Sequence, residues 1–311
     1  MELIRCRHNI SERHHGCVVS IGNFDGVHRG HQDIIGQLKQ AAISFRMPVT
    51  IILFEPQPQE YFLPDRAPAR LMRLRDKVRC LDYYGVDRVV CLRFDSELAD
   101  LAPEDFVRDV LVRELGVGYV AVGDDFRFGR DRGGDFSLLE KLGKENSFRV
   151  ERTEIAKFRE RRVSSSWIRE AFAEGNVPLA TRLLGHPYTI SGRIIHGDKK
   201  GRELGYPTIN LNLHRLQSPV TGIFVSRVHD LIPAPVNAVT SIGTRPVFDG
   251  KQVLLESHLL DFDETVYGRY VRVELLEQIR HEQDFTNIDE LTRQIGRDIK
   301  VARRWFEQDK S

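Results

Sequence analysis

Cys17-Val18-Val19-Ser20-Ile21-Gly22-Asn23-Phe24-Asp25-Gly26-Val27-His28-Arg29-Gly30-His31 is the stretch that decides the fold of the first half of the chain. Its first five residues are short, apolar and rich in β-branching, the pattern of a strand buried on both faces. A glycine-rich turn follows, and an amphipathic segment then runs from His31 to Phe45. Gly22, Gly26 and Gly30 permit a tight turn and a close backbone approach to a ligand. The helix that begins there presents unpaired N–H groups and a partial positive charge, and both favour phosphate. His28 and His31 face the same side if the turn is helical. Two imidazoles so placed can donate to phosphate oxygens and, protonated, offset the charge of a pyrophosphate leaving group.

The same strand-then-helix alternation continues outward. Apolar runs at 49–54, 88–94 and 119–123, with a weaker one at 148–154, alternate with amphipathic segments at 71–84, 103–115 and 137–145. This order predicts a doubly wound α/β domain with its ligand at the carboxyl ends of the strands. Helices are expected at 165–173 and 178–184, with Gly175 and Gly185 as stops. Beyond Gly185 the pattern changes. Segments 188–195, 208–213, 222–229, 236–242, 254–262 and 270–280 read as strands with no helix between them, hence an antiparallel barrel or sandwich, followed by an amphipathic helix over 288–306. The expected domains are residues 1–185 and 186–311.

Composition narrows the function classes. The 311 residues are 41% hydrophobic and 29% charged, as in an ordinary globular protein. A net charge of +1 argues against a general nucleic-acid binder, although a local anion site remains compatible with it. No stretch approaches the roughly 20 apolar residues of a membrane span, and the N-terminus lacks a signal core. Cys6, Cys17, Cys80 and Cys91 form no CxxC pair and read as reduced thiols. The expectation is a cytoplasmic protein with no membrane, nucleic-acid or obligatory protein partner.

Three further segments carry chemistry. Val163-Ser164-Ser165-Ser166-Trp167-Ile168-Arg169 opens a helix, where serines can either cap it or bind phosphate and Arg169 can add charge. Gly123-Asp124-Asp125-Phe126-Arg127-Phe128-Gly129 ends a strand at the ligand edge; it is either a turn with apolar anchors or a site where an aromatic stacks on a planar ring and an Asp binds base or ribose. The loop from His196 to Asn210 contains Gly197, Gly201 and Gly205, which permit close folding over phosphates. Thr208 and Asn210 then alternate onto one side of a strand. Glu256 sits in an apolar strand, either on its solvent face or with a task. Neither GxGxxG nor GxxxxGK[ST] occurs at the first turn, which weakens the dinucleotide-oxidoreductase and P-loop readings. HxGH at 28–31 resembles the signature of the nucleotidylyltransferase superfamily.

The resemblance becomes specific when the motifs are taken in order. GNFDGVHRGH (22–31), LFEPQP (53–58), VGDDFRFG (122–129), SSSWIR (164–169), HGDKKGRELGYPTINL (196–211), SIGTRPVF (241–248) and LESHLLDFDETVYG (255–268) together resemble the bacterial bifunctional riboflavin kinase/FMN adenylyltransferases, or FAD synthetases. The similarity spans nearly the whole chain. It implies a nucleotidylyltransferase-type parallel sheet followed by a riboflavin-kinase barrel of six antiparallel strands with a terminal helix. It also implies ATP as co-substrate, magnesium or another divalent cation, riboflavin as substrate, and FMN and FAD as products.

By position, the resemblance assigns Gly22, Asn23, Phe24, Asp25, His28 and His31 to one ATP site, with Ser164, Ser165 and Arg169 as its second phosphate element. Asp124 and Phe126 fall near nucleotide or flavin. Gly197, Gly201, Gly205, Thr208 and Asn210 fall at a second ATP site, with Thr208 and Asn210 as metal ligands and Glu256 as the base for the riboflavin hydroxyl. Arg280, Glu282 and Phe285 match a flavin-side segment. His28, His31 and Arg169 are expected to stabilise the transition state of adenylyl transfer. Two departures from the family pattern occur: Ser166 stands where threonine is usual, and Ile209 where alanine is usual. An aminoacyl-tRNA-synthetase-like alternative lacks its KMSK-type loop here, and a flavin-storage alternative needs neither HxGH nor the 207–210 element.

Overall fold

The chain is described from a computed structural model covering residues 1–153, 157–197, 200–213, 217–247 and 250–309. Six strands, β1 (Glu2–Arg5), β2 (Cys17–Ile21), β3 (Val49–Glu55), β4 (Arg88–Arg93), β5 (Val117–Val122) and β6 (Arg149–Arg152), form one sheet in the order β1-β4-β3-β2-β5-β6. Every pairing in it is parallel. β2 is buried along its whole length, as its apolar run requires.

Successive side chains of β2 point to opposite faces and enter different cores. Cys17, Val19 and Ile21 pack with Phe106, Val110 and Leu139, whereas Val18 packs with Ile34, Ile35 and Leu81. The sheet is therefore covered on both faces, by the helices Arg29–Phe45 and Leu74–Tyr83 on one and by Pro103–Glu114 and Phe136–Glu145 on the other. The expected helix at 103–115 begins as α-helix and continues as π-helix over Phe106–Glu114. A small antiparallel pair, β7 (Lys157–Phe158) and β8 (Arg161–Arg162), follows β6. β1 and the short helix Pro58–Phe62 were not expected from the sequence.

The chain leaves β2 toward β3 and β4 on one side, and later places β5 and β6 on the other. The carboxyl ends of β2 and β5 thus flank a topological switch point, where open α/β sheets leave a crevice for ligands. The residues that follow these two strands are the 22–31 turn and the 123–129 loop.

The second half is a closed antiparallel barrel in the order β10-β13-β12-β11-β14-β9, from β9 (Thr189–Ile195), β10 (Thr208–Asn212), β11 (Gly222–His229), β12 (Val236–Val247), β13 (Gly250–Leu259) and β14 (Tyr270–Arg280). Closure removes the sheet edges that an open sheet would leave unpaired. In its wall Ser226, Thr240 and Ser257 form a buried hydroxyl chain, at 2.6 Å and 2.7 Å, so their polar atoms are satisfied. The helix Ile288–Gln308 is capped by Asn287, whose side chain accepts from Glu290 N, and it packs Ala302 and Phe306 against Val225 and Val239.

By packing, one unit comprises Met1–Pro68 and Met72–Ser164, the other Ala69–Leu71 and Ser165–Ser311. The helices Ser165–Ala173 and Val177–Leu184 belong to the second, where Phe172 lies 4.5 Å from the Tyr188 ring. All four cysteines are free thiols, and burial pushes Cys17 and Cys80 up to about 12, which leaves them inert. No helix of the described residues is long and apolar enough to cross a membrane.

Candidate active sites

At the end of β2 the backbone turns sharply, with positive φ at Phe24 (45°) and at the β-branched Val27 (40°). Such angles are strained for these residues and need the surroundings to hold them. Phe24 and Val27 are both buried and act as anchors. Three side chains tie the turn further. Asp25 Oδ1 accepts from Met72 N at 3.1 Å, Gln32 Nε2 donates to Val27 O at 2.9 Å, and Lys77 Nζ donates to Asn23 O at 2.5 Å. Asp25 is thus turned into the protein rather than toward the cavity, while Gly22, Asn23, Phe24, His28 and His31 line it.

His28 is the N-cap residue of the helix Arg29–Phe45. Its ring stacks on His31, with centroids 3.7 Å apart and planes at 20°, and Phe24 lies on His31 at 4.6 Å. His31 is half-buried, but its Nδ1 is closed off from solvent and has no hydrogen-bond partner among the described residues. Burial, and after it the charges of His28, Lys77 and Arg162, hold His31 well below the ordinary imidazole range. The ring is therefore neutral, with a desolvated nitrogen for which the described residues supply no partner.

The cavity at this turn measures about 690 Å³, within the range of small-molecule sites. Its wall includes Phe126 and Phe128, stacked at 5.5 Å. It also includes Phe54, Phe62 and Phe94, which meet edge to face at 5.8 Å and 5.7 Å. The last three come from the ends of β3 and β4 and from the helix Pro58–Phe62, and no sequence motif had joined them.

Both adjacent acids are exposed, but Asp125 lines the cavity and Asp124 does not. Burial raises the Asp125 carboxyl, but Arg162, hydrogen-bonded to it at 2.7 Å, outweighs that and holds it below the usual range. Ser164 also lines the cavity. Ser165 and Arg169 lie in the second unit, where Arg169 Nε donates to Ala69 O at 2.6 Å.

The barrel unit has a cavity of about 340 Å³, lined among others by Gly201, Thr208, Glu256, Arg280, Glu282 and Phe285. Register brings polar groups together here: Asn210, which does not itself line the cavity, pairs with Glu256, Thr208 with His258, and Ser241 with Glu256. Asn210, Ser241 and Glu256 consequently share one face of the wall. Asn210 is buried, and its Oδ1 has no hydrogen-bond partner among the described residues.

Two glycines make room for these groups. A Cβ on Gly197 would come within 2.5 Å of Asn210 Nδ2, and one on Gly201 within 2.5 Å of Tyr206 O and 3.3 Å of Thr208 Oγ1. Gly205 instead serves the backbone, at φ +84° with open space where a Cβ would be.

No group of three His, Cys, Asp or Glu residues able to hold a metal occurs among the described residues. The orphaned Asn210 oxygen and the nearby Thr208 hydroxyl are instead hard, neutral donors. They suit a magnesium ion that takes most of its ligands from water and substrate phosphates.

Arg280 is held by Asp298, which lines the same cavity. Its Nε reaches both Asp298 oxygens at 3.1 Å and its Nη2 donates to Oδ2 at 2.8 Å, while the guanidinium also lies 5.7 Å over the Phe285 ring. Asp298 is 4% exposed and further accepts from Gln294 Nε2 at 2.9 Å. Burial, reinforced by Asp284 and opposed by Arg280, pushes Glu282 above the usual carboxylate range. Its carboxylate occupies the space that a side chain at Gly243 would need.

Known proteins bear directly on these two sites. The FAD synthetase family model matches residues 10–167 and the riboflavin kinase family model residues 184–306. The bifunctional riboflavin kinase/FMN adenylyltransferase of Escherichia coli (strain K12) is 48% identical over 307 residues, 98% of each chain. That of Haemophilus influenzae is 43% identical, over 98% of this chain and 99% of its own. Among solved structures, one described as a macrolide-efflux protein from Streptococcus pneumoniae superposes with a TM-score of 0.83 at 28% identity, covering 98% of this chain and all of that one.

Proposed function

Because this chain belongs to the bifunctional riboflavin kinase/FMN adenylyltransferase family, we propose that it makes FAD from riboflavin in two ATP-dependent steps, one at each cavity. Each half having its own cavity lined in part by glycines of a motif turn is the observation that carries this reading. The functional domains are residues 1–185, the adenylyltransferase, and 186–311, the kinase. This division follows the two family matches more closely than it follows packing. The protein works in the cytoplasm.

In the kinase, the γ-phosphoryl of ATP passes to the riboflavin 5′-hydroxyl. Glu256 orients that hydroxyl and accepts its proton, and Gly197, Gly201 and Gly205 let the loop close on the phosphates. Thr208 and Asn210 would hold a magnesium ion, whose charge offsets that of the transferring group. Phosphoryl transfer needs little else from the protein than position and charge. Glu282 and Phe285 serve the flavin, and Arg280, held by Asp298, lies over the Phe285 ring.

In the adenylyltransferase, an FMN phosphate oxygen attacks the α-phosphorus of a second ATP, and pyrophosphate leaves. FMN brings its own anionic nucleophile, so no strong base is required. Gly22, Asn23 and Phe24 shape the turn, Asp25 braces it from within, and His28 and His31 donate to the phosphates. Ser164, which lines the cavity, adds a hydroxyl to the phosphate set. The aromatic wall with Phe126 suits the flavin ring, and Asp125 is better placed than Asp124 to receive a polar group of either substrate.

The test incubates the protein with riboflavin, ATP and magnesium and follows riboflavin, FMN and FAD by chromatography. Glu256→Gln should abolish FMN formation yet still turn supplied FMN into FAD. His28→Ala combined with His31→Ala should do the reverse. Riboflavin phosphorylation surviving in the first variant would remove Glu256 from its role, and FAD formation surviving in the second would remove the histidine pair.

A further inference from the structure

Lys77 takes no part in the steps above. It lies in the helix Leu74–Tyr83 and is 3% exposed. A buried ammonium is costly unless hydrogen bonds and charges hold it. Lys77 Nζ donates to the carbonyl oxygen of Asn23 at 2.5 Å. Asn23 lines the larger cavity and Lys77 does not, so the lysine grips the turn from its protein side. Strained residues flank that grip, with Phe24 immediately after Asn23 and Val27 beyond it.

We infer that Lys77 is a positioning residue for adenylyl transfer, holding the 22–31 turn by the Asn23 carbonyl and supplying a fixed positive charge behind the phosphate-binding groups. Preorganised charge of this kind costs no reorganisation when negative charge develops on the leaving pyrophosphate. The charge also reaches His31. After burial and His28, Lys77 is among the groups that disfavour the imidazolium, together with Arg162. The ring is thereby kept neutral until an anionic ligand arrives. This inference rests on assigning adenylyl transfer to the cavity at the 22–31 turn.

Lys77→Gln separates charge from mere bracing, because the amide can still donate to Asn23 but carries no charge. FAD formation from FMN and ATP should fall by about tenfold or more, mainly in kcat, while riboflavin phosphorylation by the same preparation stays unchanged and a urea melt like that of the wild type reports an intact first unit. Lys77→Arg, which keeps the charge, should recover most of the rate. By NMR, the His31 ring should titrate at higher pH in the Gln variant than in the wild type.

A Gln variant that makes FAD within twofold of the wild-type rate, or whose His31 titration does not move, overturns the inference. Should Lys77→Gln not fold, Lys77→Arg and Lys77→Met carry the same comparison, and equal rates in those two overturn it. The His28→Ala/His31→Ala enzyme is assayed alongside. Its retaining FAD synthesis refutes the site itself, whereas its losing FAD synthesis while Lys77→Gln keeps it refutes only the role of Lys77.

Discussion

Asp298→Ala removes the acceptor of the forked bond from Arg280 and leaves a guanidinium with a side-chain exposure of only 15%. Three contacts of 2.8–3.1 Å from Arg280 are lost, together with the Gln294 bond at 2.9 Å. Breaking a buried pair by deleting one partner costs about 3–5 kcal/mol, because the other charge is left uncompensated. Arg280 keeps its bond to His281 O at 3.0 Å and some exposure, so the lower end, about 3 kcal/mol, applies.

In a unit of this size that lowers the melting midpoint by roughly 6–12 °C. Because Asp298 sits on the helix Ile288–Gln308, which with Arg280 and Phe285 lines the barrel cavity, the KM for riboflavin should also rise while FAD formation from supplied FMN is spared. Differential scanning calorimetry and the chromatographic assay measure both effects. Arg280→Met/Asp298→Ala should be more stable than Asp298→Ala alone, since no unpaired charge remains. A single variant melting within 2 °C of wild type, on the order of measurement error, or a double variant less stable than the single, would refute the reasoning.

Other expectations follow from the same geometry. Gly197→Ala places a methyl within 2.5 Å of the Asn210 amide, so it should displace that side chain and raise the kinase KM for Mg–ATP about tenfold or more, measured by steady-state kinetics with FAD formation from FMN as the control. His31 gives the first unit a pH signature. Above about pH 6.5 neither folded nor unfolded His31 binds a proton, and it contributes nothing. Below that value the unfolded chain takes up a proton that the folded ring refuses, so stability falls with pH until the lowered folded value is reached. Urea melts of wild type and His31→Gln at pH 7.5 and 5.5 should show a smaller acid loss in the variant, and equal losses would count against a neutral buried ring.

Much of this was legible from local pattern. The five expected strands of the first half and the six of the second all occur, because a buried strand writes its burial into a contiguous apolar run or a two-residue alternation. β1 escaped notice because it is a four-residue edge strand with only Ile4 buried. A lysine in an amphipathic helix reads as a solvated residue, so Lys77 was overlooked too. Its place one turn before the buried Leu81, on the same helical face, was the available signal. The choice between Asp124 and Asp125 depends on how one turn rotates, and adjacent identical residues carry no trace of it. Arg280 could be matched to a flavin-side motif, but its partner lies on another element.

Read alone, the sequence yielded the order of elements, the two-part architecture, the family and the positions of the glycine-rich turns. These are properties of neighbouring residues, since periodicity, glycine placement and motif spacing are all read along the chain. Tertiary structure decided which groups meet: Phe54, Phe62 and Phe94 in one wall, Asn210 opposite Glu256, Lys77 at the Asn23 carbonyl and Arg280 on Asp298. Those contacts arise only when the parallel sheet orders its strands and the barrel closes its register, and a side chain's charge, burial and partner are set by that closure rather than by the residues beside it.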